Sequence, residues 1–98
     1  MPANPDPLEK DIEKKVCDYA KSKGMLVYKF TSPSCRSVPD RQFLVDGGRV
    51  FWIEFKRKGC KPSPGQEVEI AKIRSKKHTV YVVDNVIDGK RIIDLESL

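Results

Sequence analysis

An aspartate at position 40 and the triplet Glu54-Phe55-Lys56 are the side chains best suited to chemistry in this 98-residue chain. Glu54 and Lys56 lie in "VFWIEFK", a run that otherwise suits a buried β-strand. Alternate side chains of a strand share a face. Phe51, Ile53 and Phe55 therefore point one way, and Trp52, Glu54 and Lys56 the other. Glu54 and Lys56 then stand about 6.5–7 Å apart along the strand. A solvated charged face near a sheet edge is the plain alternative, but Trp52 on the same face argues for partial burial. A partly buried carboxylate needs compensation. A divalent cation supplies it and prefers more than one carboxylate.

Asp40 is the nearest second carboxylate. If Arg41–Val45 and Val50–Phe55 form a hairpin around Asp46-Gly47-Gly48, partners have residue numbers adding to about 94–96. That arithmetic sets Asp40 beside Glu54 and Lys56. Two carboxylates and a lysine in one patch suit metal-assisted hydrolysis of a phosphodiester. Asp40 and Glu54 would hold Mg²⁺ or Mn²⁺, with the backbone carbonyl of Phe55 as a further oxygen ligand. A bound metal acidifies water and neutralises phosphate charge. Lys56, repelled by the metal, would contact water or substrate instead.

The elements that position these residues follow from pattern. After a proline-rich lead-in over 1–7, read as flexible, Asp6-Pro7-Leu8-Glu9 has the grammar of a helix start, with Asp6 as cap and Glu9 at N3. Leu8, Ile12, Val16, Tyr19 and Ala20 share one face of that helix, which should end before Gly24. Met25–Phe30 reads as a strand and 31–39 as a loop. Tyr28 and Phe30 alternate on one strand face and read as core packing rather than base stacking, and His78 reads as a lone surface histidine. Ser63-Pro64-Gly65-Gln66 opens a second helix running to about Lys76. His78–Asp84 reads as a strand. Asn85–Lys90 reads as a turn-rich excursion, and Arg91–Leu95 as a short edge strand. The order is α-β-β-β-α-β in a single domain over 1–98. This is an α/β mixed sheet flanked by helices, with a crossover long enough for parallel pairing of the last two strands.

Composition narrows the function classes. The formal charge of +5, from 19 basic and 14 acidic residues, suits a polyanionic partner. The acids are interspersed, unlike a purely electrostatic binder. Three cysteines with no CxxC pair and a single histidine give poor support for structural zinc, and a reduced intracellular setting is the simplest reading. No apolar run approaches a membrane span, and no signal-peptide pattern occurs.

A wider resemblance enters on these residues. Pro39-Asp40, thirteen intervening residues and Glu54-Phe55-Lys56 match the PD-(D/E)xK nuclease pattern. "LEKDIEKKVCDYAKSKG", "SVPDRQFLVDGGRVFWIEFKRKGCKPSPGQ" and "TVYVVD" together resemble the virus-type replication-repair nuclease (VRR-NUC) domain, in a stand-alone phage form. The resemblance implies a restriction-endonuclease-like core and divalent-metal-dependent DNA cleavage. It carries a catalytic role onto Glu9, Asp40, Glu54, Lys56 and Gln66, with Glu9 reaching the metal through water. Glu13 shares the helix face of Glu9 and is the alternative helix acid. Glu9 and Gln66 also have plain explanations as N3 capping residues. Two departures stand out: Val38 and Ser37 occupy the stretch where the family often has a glycine, and Glu13 stands where it often has glutamine. Arg36, Arg41, Lys58 and Lys61 are the candidate DNA contacts, although solvated charge is their default reading.

A domain this small gains reach by pairing with a second copy. A two-fold homodimer sets two sites against two strands, and by analogy with compact dimeric relatives that suits branched DNA such as a four-way (Holliday) junction. The phage or prophage setting implies action in the host cytoplasm. The competing class is a non-catalytic basic nucleic-acid-binding module whose acids are structural. Convergence of Asp40, Glu54 and Lys56 separates the two.

Overall fold

The computed structural model describes residues 7–98. The element order is α1 (Glu9–Ser22), β1 (Leu26–Lys29), β2 (Arg41–Val45), β3 (Arg49–Phe55), α2 (Pro64–Ser75), β4 (Thr79–Val83) and α3 (Val86–Glu96). The four strands form one sheet in the order β1-β2-β3-β4. The first three pair antiparallel, and β3 pairs parallel with β4 across α2.

The β2–β3 hairpin is in the register read from the sequence. Arg41 faces Ile53 and Phe43 faces Phe51, so partner numbers add to 94. Its turn needs positive φ at consecutive positions, and Gly47 and Gly48 supply +87° and +84°. Phe51, Ile53 and Phe55 point into the core with Phe43, Val83 and Ile93, against Ile12, Val16, Cys17 and Ala20 of α1. The Phe43 and Phe51 rings stack with centroids 4.8 Å apart. On the opposite face lie Trp52 and Glu54, and α2 covers part of it through Ile70.

Three expectations are corrected. The segment from Asn85 onward is a helix, not a turn and an edge strand. The Asn85 side chain accepts from the Asp88 amide at 2.8 Å and caps it. Gly89 and Ile93, one turn apart, are its buried face, so packing on α1 overrides the β-propensity of Ile92-Ile93. The start of α1 is the second. Leu8 is its N-cap, with no side-chain cap bond, and Glu9 is the first helical residue rather than N3. The proposed cap Asp6 lies outside the described residues. Third, Tyr28 is 52% exposed and is not core.

Gly89 sits where α3 crosses α1. A Cβ there would meet Val16 Cγ2 at 2.4 Å. We expect Gly89→Ala to destabilise the fold by about 1–3 kcal/mol despite its better helix propensity. Urea unfolding checks this, and a neutral or stabilising result would mean the α1–α3 crossing yields easily.

Candidate active site

The hairpin register delivers Asp40 to the mouth of β2 directly beside the end of β3. Asp40 Oδ2 accepts from the Phe55 amide at 2.8 Å, while the Asp40 carbonyl accepts from the Phe30 amide, also at 2.8 Å. The residue is thus clamped between β1 and β3. On the other side, the Lys56 amide donates to the Val83 carbonyl at 2.8 Å. The carbonyl of a trans peptide lies opposite the following N–H. The Phe55 carbonyl is therefore directed away from β4, toward the Asp40 side.

Among the described residues, Glu54 is the one buried charged side chain, at 1% exposure. Its Oε2 is held twice, by Lys56 Nζ at 3.4 Å and by Gln66 Nε2 at 2.9 Å. Its Oε1 is shut from solvent with no hydrogen-bond partner among the described residues. A buried carboxylate oxygen left unsatisfied is costly, and either a bound water or a cation would satisfy it. Burial first, then the Asp40 charge, push the Glu54 carboxyl up to about 7, against the pull of Lys56. Asp40 is also raised, chiefly by burial and less by Glu13, with the Phe55 amide and Lys56 opposing.

Gln66 fills both of its expected roles at once. Its Oε1 accepts from the Ser63 amide at 2.9 Å, and the Ser63 hydroxyl accepts from the Gln66 amide at 3.2 Å, closing a capping box. The acceptor end is thereby fixed outward, and Nε2 is turned to Glu54. We expect Gln66→Glu to keep the helix start, since glutamate serves equally in a capping box. The new negative charge should push Glu54 above about 7. An NMR titration of the Glu54 carboxyl reads this; an unmoved midpoint would mean the contact is incidental.

The two helix acids separate. Glu13 accepts from Arg41 Nε at 2.5 Å in a half-buried ion pair that ties α1 to the start of β2. Glu9 lies in the field of the site. Burial and then Asp40 raise its pKa, and Lys56 lowers it. Because Glu9 is not an N3 residue, its capping explanation falls away. Among the described residues, no three His, Cys, Asp or Glu side chains converge closely enough to form a metal cage. The close set is two carboxylates and a carbonyl, which suits a hard cation that keeps several waters.

Of the expected DNA contacts, Arg36 is exposed and lines a cleft of about 280 Å³ beside Asp40, with Lys29, Phe30, Ser32, Cys35 and Val38. Lys58 and Lys61 are exposed on the loop after β3. Arg41 is partly buried and engaged by Glu13. Nothing in the local pattern points to that pair, whose members are 28 positions apart.

No family model matches the chain. A phage protein, "Putative nuclease p44" of Acyrthosiphon pisum secondary endosymbiont phage 1, is 38% identical over 77 residues, covering 79% of this chain and 83% of the relative. A solved structure described as "VRR_NUC domain" superposes with a TM-score of 0.82 at 24% identity, over 88% of this chain and 94% of that one. The chain therefore belongs to the same family as this phage-encoded nuclease, and its fold is that of a VRR_NUC domain.

Proposed function

We propose that this nuclease is a divalent-metal-dependent DNA endonuclease, and that Asp40, Glu54 and the Phe55 carbonyl hold Mg²⁺ or Mn²⁺. The observation that carries this reading is the buried, partnerless Oε1 of Glu54 next to Asp40. When bound, the metal would acidify a water and offset charge on the scissile phosphate. The remaining work falls to the chain. Gln66 and Lys56 fix one oxygen of Glu54 and leave the other for the ion. Lys56, whose side chain is 17% exposed, donates from Nζ to the attacking water or to a phosphate oxygen. Glu9 orients water at the edge of the site. Arg36, Lys58 and Lys61 contact backbone phosphates, whereas Arg41 holds Glu13.

In this reading the chain acts over 1–98 as a single domain and as a homodimer, two sites facing two strands. The preferred substrate is branched DNA, such as a four-way junction. No helix among the described residues is long and apolar enough to cross a membrane. The three free cysteines suit the reducing host cytoplasm.

The test is cleavage of labelled linear, flapped and four-way DNA with Mg²⁺, Mn²⁺ or EDTA. Metal-dependent cutting of branched substrates is expected. Sedimentation with DNA should give a dimer, and a monomer at micromolar concentration would overturn that part. DNA binding without cleavage in either metal would favour the non-catalytic basic module.

A further inference from the structure

On the same sheet face as Glu54, two residues earlier along β3, the Trp52 indole sits in a cluster of rings. Its ring centroid lies 5.9 Å from that of Phe30 and 5.6 Å from that of His78, both in edge-to-face arrangements. These rings, with Ile73 and the lysines Lys72 and Lys76 of α2 and its C-terminal cap, line a groove of about 350 Å³. Lys72, Lys76 and His78 are exposed. Among the described residues, neither lysine is in an ion pair with a carboxylate. The groove is therefore apolar and aromatic on its floor and cationic on its rim.

The indole N–H is shut from solvent and has no acceptor. An unmet buried donor is a cost that a purely hydrocarbon side chain would avoid, so apolar packing alone does not account for the indole N–H. Phe30 also lines the cleft beside Asp40. The groove and the acid cluster are thus joined by one side chain, and a chain of nucleotides can run from one to the other.

We infer that this groove is a nucleobase subsite: an unpaired nucleotide next to the scissile phosphate lays its base among Phe30, Trp52 and His78, with flanking phosphates on Lys72 and Lys76. The chemistry fits no other part of DNA as well. Aromatic faces take up any exposed base, and lysines track the backbone of a single strand. Paired bases in a duplex cannot offer their faces. The inference rests on the nuclease reading for its orientation, and it requires that a base beside the cut be unpaired, as on a flap or at an opened branch point.

Trp52 is the sole tryptophan of the chain, so its fluorescence reports the groove directly. The experiment titrates full-length protein in EDTA with a short thymidylate strand and with a blunt duplex. Saturable quenching by the single strand, and little by the duplex, is expected. His78→Ala should weaken single-strand binding about tenfold through weaker stacking. Lys72→Ala/Lys76→Ala should flatten the salt dependence by about 0.7 for each phosphate no longer neutralised. All three residues are exposed, so the variants should fold, and circular dichroism checks that. Equal quenching by duplex, or wild-type binding and salt slope in folded variants, overturns the subsite. Quenching without cleavage in Mg²⁺ or Mn²⁺ supports the groove and overturns the nuclease reading instead. Cleavage without quenching overturns the groove and leaves the nuclease reading standing.

Discussion

Glu54→Gln should give a nuclease that is inactive and yet, in EDTA above pH 7, more stable than wild type. The loss of activity should be about 10³-fold or more, because a metal ligand supplies several kcal/mol of transition-state stabilisation. The gain in stability comes from the raised carboxyl. Folded, Glu54 titrates at about 7, against 4.5 for the unperturbed side chain. Below pH 4.5 both the folded and unfolded chains hold the proton, and Glu54 contributes no pH dependence. Between 4.5 and about 7 the unfolded chain releases it first, so stability falls as pH rises. Above that window the full penalty is present, about 3 kcal/mol. Glutamine has no proton to release and escapes it. Glu9 and Asp40 are raised as well and add slope in the same direction. Thermal melts of both proteins at pH 5 and pH 8, with and without Mg²⁺, check this. Magnesium should stabilise wild type most at pH 8, where the ionised form is available. A wild-type melting temperature that does not fall with pH in EDTA would refute the buried-acid account.

Lys56→Ala carries the second large effect. We expect kcat to fall about 10²–10³-fold, the range for losing one positioned donor, with metal and DNA still bound. Lys56 also offsets the charge on Glu54, so its removal should move the Glu54 midpoint above about 7 in the metal-free protein. The variant should accordingly lose more stability at pH 8 than at pH 5, where Glu54 is neutral. Single-turnover cleavage and an NMR titration read the two consequences separately. Full activity with a shifted midpoint would make Lys56 a support for Glu54 and not a group acting on substrate.

The central hairpin is legible in the sequence because two short-range rules agree on it. Period-two alternation assigns Phe51, Ile53 and Phe55 to one face and Glu54 to the other, and the Gly47-Gly48 turn sets the register. Together they bring Asp40 to Glu54 without any long-range information. The pairing of Glu13 with Arg41 has no such local sign, since it depends on how α1 lies across the sheet. The last helix escapes a sequence reading for a related reason. Asn85 and Gly89 look like turn residues in isolation, and the adjacent isoleucines like strand. Only the fit of Gly89 against Val16 shows why a helix there needs glycine. Phe30 reads as core and His78 as surface, because nothing in the chain says that both flank Trp52.

Gln66 ties the setting of Glu54 to the folding of α2. The amide that closes the first turn of α2 also grips Glu54, so the grip exists only once that helix has formed and docked. A chain emerging from the ribosome presents Asp40, Glu54 and Lys56 before α2 and β4 exist to finish the pocket. Until they arrive, Glu54 is an ordinary hydrated carboxylate. The setting of that carboxylate is thus a product of the finished fold and not of the hairpin alone.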